Sequence, residues 1–156
     1  MTMTLHNLLL FVHLLAATAW IGGSILLDIL ARRTLRMGDR EAVLGVARTS
    51  DFVSRVILFP GGVITLLAGI GLVLESDAWR FTMGWVIFAI VIVLASAALG
   101  MAFYPRQLAA LERAASEAGP SDPEIPRRLL RILNVSSIET VALLAVLWAM
   151  VFKPGA

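Results

Sequence analysis

Two histidines, His6 and His13, stand seven residues apart in a stretch with no Asp, Glu, Lys or Arg between His6 and Asp28. On an α-helix that spacing places both on one face, about 10 Å apart along the axis, and Trp20 continues the stripe. At that separation the two cannot close on a single metal ion, so each needs partners from another helix. His13 offers an imidazole ligand to haem b or copper, or a hydrogen bond to a neighbouring helix; His6 offers the same, or sits in the headgroup zone of a membrane. Met1, Met3 and His6 form a second constellation, with Met83 and Met150 at the same end of the hydrophobic stretches. Thioether and imidazole suit Cu(I), whereas the plainer reading is an initiator Met with apolar methionines at helix ends.

Glu139 is the third candidate. It lies a third to half way into a hydrophobic stretch, within Asn134-Val135-Ser136-Ser137-Ile138-Glu139-Thr140. A carboxylate at that depth is protonated or paired and is a functional hypothesis by default. It could relay protons, or bond Ser136, Thr18 or Ser24. Asp28 precedes Arg32 by four residues, a spacing that predicts a helical ion pair anchoring the end of the first hydrophobic stretch. Arg55 and Arg131 read as side chains that snorkel to the membrane surface.

The elements that must carry these residues follow from composition. The 156 residues are 59% hydrophobic and only 15% charged, against roughly 25% charged in a soluble domain. Mean hydropathy is +0.88. Four stretches are long enough to cross a bilayer, at 6–30, 56–74, 82–104 and 129–152. The length suits one domain. The first stretch lacks a basic n-region and is too long for a signal-peptide core, so it is expected to stay in the mature protein. There is no cysteine, which removes disulfides, zinc–thiolate sites and iron–sulfur clusters. Nucleotide loops, hydrolase triads and His-Glu-x-x-His motifs are missing, so catalysis would need a cofactor to supply the chemistry. The net charge of +2 and the placement of arginines beside hydrophobic stretches argue for topology signals and lipid contacts, not nucleic acid.

Loop 31–55 carries Arg32, Arg33, Arg36, Arg40, Arg48 and Arg55; loop 105–128 carries Arg106, Arg113, Arg127 and Arg128. The connection 75–81 has only Arg80, and the C-terminal end only Lys153. The positive-inside rule therefore predicts an all-α, integral membrane four-helix bundle, N-out and C-out. Within the cytoplasmic loops, 40–53 reads as an amphipathic helix leading into the second span, and 106–118 as a helix prolonging the third. Gly119-Pro120-Ser121-Asp122-Pro123 stops it, and Glu124 and Pro126 open the fourth helix. Pro60 opens or kinks the second span, and Gly69 and Gly71 allow a neighbour to approach it closely.

At His13-x6-Trp20-Ile21-Gly22-Gly23 the sequence resembles a group of bacterial inner-membrane proteins. They are the membrane domain of copper-resistance protein D, the HemJ-type protoporphyrinogen oxidase, and a small four-helix family of unknown function, which fits best in length. The last also resembles this chain at Phe59-Pro60-Gly61, at Leu66-x-x-Gly69, and in the ending Met150-Val151-Phe152-Lys153-Pro154. The resemblance implies a four-helix membrane bundle with haem b or copper near the first helix, held at His13 and Trp20. HemJ-type proteins carry a His and a Lys after the second span; 78–82 here has neither. A haem would then take a second ligand from His6, a Met or another subunit.

Three functions follow as expectations. The first is a haem- or copper-associated membrane protein with His13 as ligand. The second is a non-catalytic subunit that packs against a partner membrane protein. The third is a small proton-coupled transporter using Glu139 and His13, which at four spans would work as a homo-oligomer.

Overall fold

The computed structural model describes residues 4–118 and 122–154, and those residues form helices with no strand. Helix α1 runs over Leu5–Met37, α2 over Arg40–Val53, α3 over Phe59–Glu75, α4 over Gly84–Ala98, α5 over Tyr104–Ala118 and α6 over Glu124–Phe152. Two π-turns, Ser54–Leu58 and Leu99–Phe103, weld α2 to α3 and α4 to α5. The chain is therefore four long rods, each apolar enough to cross a membrane. The amphipathic segments 40–53 and 106–118 are helical, as expected. They are the far ends of the second and third rods.

Thr4 starts α1 by accepting a hydrogen bond from the Asn7 N–H. Gly38 ends it in the left-handed conformation, φ 71°, with its N–H on the Leu35 carbonyl. Asp39 immediately caps α2 through the Ala42 N–H at 3.1 Å, so the first turn needs only two residues.

The π-turns answer two prolines. Pro60 and Pro105 have no N–H to give the preceding turn, and each ring would collide with the carbonyl four residues back. In each case the residue just ahead reaches back five residues instead: Phe59 N–H to the Ser54 carbonyl, and Tyr104 N–H to the Leu99 carbonyl. The extra residue relaxes the ladder where the proline interrupts it.

Helices α1 and α3 pack antiparallel through small residues. A Cβ on Gly61 would lie 3.4 Å from Trp20 Cβ, one on Gly69 3.1 Å from His13 Cε1, and one on Gly71 3.3 Å from Leu9. The motifs of the first two hydrophobic stretches are thus the two sides of one seam, held by close van der Waals contact as lipid-embedded helices require. Phe11, Leu15, Leu67, Val91, Val141 and Trp148 point outward, which suits hydrocarbon surroundings.

A helix of 33 residues is about 50 Å long, and a bilayer core is about 30 Å thick. The arginine-rich ends extend past it. There Ala31, Val43, Ala47, Leu111, Ile125, Leu129 and Leu133 build a core of their own, with Leu111 and Ile125 fully buried.

Candidate functional site

Two cavities lie along the bundle axis. One occupies the arginine-rich half, the other the half that holds His6 and His13. Trp20, Val93 and Leu143 pack as one buried cluster in mid-bundle, and Trp20 and Val93 line both cavities. That cluster is a septum between them.

The arginine-end cavity has a volume of about 440 Å³ and is walled by α1, the α2–α3 rod, the α4–α5 rod and α6. Glu139 projects from α6 into it, and the Tyr104 hydroxyl donates to Glu139 Oε2 at 2.5 Å. Tyr104 is the first residue beyond the second π-turn. One added residue rotates the remainder of the rod by about 100° relative to an unbroken helix, and this sets the direction in which Tyr104 leaves its rod. Asp28, on α1, accepts from Ser136 Oγ at 2.8 Å and Ser137 Oγ at 3.3 Å. Arg32 donates to Ser137 Oγ at 2.7 Å and to the Leu133 carbonyl at 3.2 Å. Buried Ser96 completes this wall.

These contacts correct two expectations. Asp28 and Arg32 do not touch; Ser137 stands between them because α6 offers hydroxyls nearer than the i+4 guanidinium. Glu139 bonds neither Ser136, Thr18 nor Ser24. Ser136 is taken by Asp28, Ser24 donates to its own helix at the Trp20 carbonyl, and Thr18 is exposed. Arg55 pairs with Asp51 at 2.9 Å at the cavity edge, and its side chain is largely exposed, as is Arg131.

The histidine-end cavity measures about 380 Å³ and is apolar. His13 is buried in its wall and bonds the Thr65 carbonyl through Nδ1 at 2.8 Å. A carbonyl only accepts, so Nδ1 carries the hydrogen, and in the neutral imidazole Nε2 keeps its lone pair. No described residue hydrogen-bonds Nε2. Trp20 lines the same cavity as His13, and its indole also lies against Gly62 in the septum.

His6 is elsewhere. Its Nδ1 donates to Glu75 Oε2 at 2.6 Å, tying the start of α1 to the end of α3. Trp79 packs beside it, 6.0 Å between ring centroids, and Lys153 lies 4.4 Å above the Trp79 ring. Met1 and Met3 lie outside the described residues. Among the described residues no three His, Cys, Asp or Glu side chains converge on a metal position. Haem or copper would therefore have one nitrogen ligand here, His13 Nε2, with Met150 in the same cavity wall.

Sequence reasoning missed Tyr104, the partner of Glu139, and the cavity that holds both. A signal existed: Tyr104 is the one tyrosine in the chain and precedes a proline inside a hydrophobic stretch.

Four apolar rods around internal cavities define a multi-pass α-helical membrane protein. The chain belongs to the family of predicted integral membrane proteins DUF2269, whose sequence model matches residues 7–154. No curated protein and no solved structure matches it.

Proposed function

We propose that this protein is a small proton-coupled membrane carrier in which Glu139 relays the proton. One observation carries the reading: Glu139 lines a cavity in a membrane bundle and touches no Lys or Arg among the described residues, whereas Asp28 in the same wall is linked to Arg32 through Ser137. Unpaired carboxylates are costly at membrane depth and mark ion and proton pathways. Tyr104 and the hydroxyls of Ser136 and Ser137 supply groups through which a proton can pass. The cavity reaches the edge at Arg55 and ends at the Trp20 septum, a geometry suited to access from one side at a time. By charge asymmetry the accessible side is the cytoplasm of a bacterial cell. Four helices leave most of the outer face to lipid or to another subunit, so the carrier is proposed to work as a homo-oligomer or with a partner membrane protein.

Difference infrared spectroscopy of the protein in nanodiscs tests the relay. The expected result is a carboxyl band that titrates in the wild type and is lost in Glu139→Gln. An unchanged spectrum in that variant would end the reading.

The association with haem or copper, implied by the resemblance to copper-resistance protein D and HemJ-type proteins, is a second reading. It is favoured by the His13 tautomer, since a backbone carbonyl on Nδ1 is how ligating imidazoles are oriented. Absorption spectra before and after dithionite, with metal analysis of the same sample, test it. A Soret band that shifts on reduction supports haem, near-stoichiometric copper supports copper, and a colourless, metal-free protein after expression with both added ends it.

A further inference from the structure

We propose that the histidine-end cavity binds a neutral, lipid-soluble phenol or quinol, whose ring hydroxyl donates to Nε2 of His13. The inference does not depend on the proton relay, and it competes with a metal for the same nitrogen.

Among the described residues the cavity wall contains no Asp or Glu, and its one charged side chain is Lys153. A metal cation on a neutral imidazole here would be buried without a compensating anion, which is strongly unfavourable in an apolar site. A neutral ligand carries no such cost. His13 is 8% exposed, Thr65 6% and Trp85 7%. Among the described residues, Trp85 Nε1 and Thr65 Oγ1 are buried with no hydrogen-bond partner, and His13 Nε2 has none. Orphaned polar atoms beside one cavity call for a partner that the protein does not provide.

Their chemistry selects the partner. Nε2 of the neutral imidazole accepts, so it needs a hydroxyl or N–H. Trp85 Nε1–H only donates, so it needs an oxygen acceptor, and the Thr65 hydroxyl serves either way. A ring with a hydroxyl and a second oxygen meets both demands. Trp20, Trp79, Phe81 and Trp85 line the space and provide faces for a flat ring. A volume near 380 Å³ falls within the usual range of about 300–1,000 Å³ for small-molecule sites.

The test is a titration of the protein in nanodiscs with decylubiquinol, kept reduced under argon, followed by tryptophan fluorescence. The bis-O-methyl ether of the same compound is the control, because it has the same ring and tail and no hydroxyl to donate. Saturable quenching by the quinol is expected, with the ether at least tenfold weaker. Trp85→Phe should weaken the quinol severalfold, and His13→Phe should bring quinol and ether to the same level. Equal binding of quinol and ether by the wild type would overturn the proposal without reference to any variant that folds poorly. So would a Soret band or stoichiometric copper in the purified protein. Loss of the Glu139 infrared signal has no bearing on the outcome, so the two readings fail separately.

Discussion

The two halves of this bundle solve the same packing problem with opposite materials. In the histidine half, helices meet through glycine: Leu9, His13 and Trp20 of α1 lie against Gly71, Gly69, Gly61 and Gly62 of α3. In the arginine half they meet through hydroxyls and carboxylates: Ser136 and Ser137 on Asp28, and Tyr104 on Glu139. Glycine seams draw backbones together and gain dispersion contact along their length. Polar contacts act at points, and each must be satisfied to be tolerated in the interior. The π-turns belong only to the polar half. There the second and third rods bend around their prolines, and the larger cavity lies between them. One half is a fitted wall with His13 buried in it; the other is a chamber in which a few hydroxyls and carboxylates stand among apolar side chains.

This contrast can be broken most directly at the septum. Trp20→Ala should cost about 3–5 kcal/mol, as for a buried tryptophan cut back to alanine, and should join the two cavities. Thermal unfolding in detergent checks the first, and transmission of the Glu139→Gln change to quinol binding at His13 checks the second. A loss below about 1 kcal/mol would mean that the septum is loosely packed. Tyr104→Phe removes the hydroxyl that donates to Glu139 and should cost about 1 kcal/mol, the net value of a typical intramolecular hydrogen bond. It should move the infrared band of Glu139 and leave quinol binding within twofold.

Gly69→Ala probes the fitted wall. Its methyl would lie 3.1 Å from His13 Cε1, so the imidazole must shift, at about 1–3 kcal/mol for overpacking. Binding at the histidine end should fall while the Glu139 spectrum stays as it was. Combined with Tyr104→Phe, the stability losses should add to within about 0.5 kcal/mol if the halves are independent; a larger discrepancy would couple them. The smallest effect is expected from His6→Ala. The His6–Glu75 contact is partly exposed, and removing it should cost no more than about 1 kcal/mol and less at high salt. A larger effect would make that contact a structural clasp over the histidine-end cavity.

Much of this was legible in the chain. Four apolar stretches, arginine-rich ends and an apolar face wide enough for lipid follow from residue type alone, because the bilayer admits few alternatives. The glycines of α3 were readable as a close-approach surface. Glu139 stood out since a carboxylate in a hydrophobic run demands an explanation. Its partner was not readable: Ser136, Thr18 and Ser24 were as plausible as Tyr104 from spacing alone. The i+4 pairing of Asp28 with Arg32 looked secure on one helix, yet α6 placed two hydroxyls in between.

By itself, the sequence determined that these residues lie in a membrane, in four helices, with their basic ends on one side. Hydropathy and charge act locally, residue by residue, so they survive without knowledge of the fold. Tertiary structure alone decided which polar groups meet. It set Tyr104 on Glu139, turned His13 Nδ1 toward Thr65 and left Nε2 free of protein partners among the described residues, and put Trp20 between two cavities. Those outcomes depend on the rotation and depth of one helix against another. In lipid, where every face is apolar, no periodicity along a single helix encodes them.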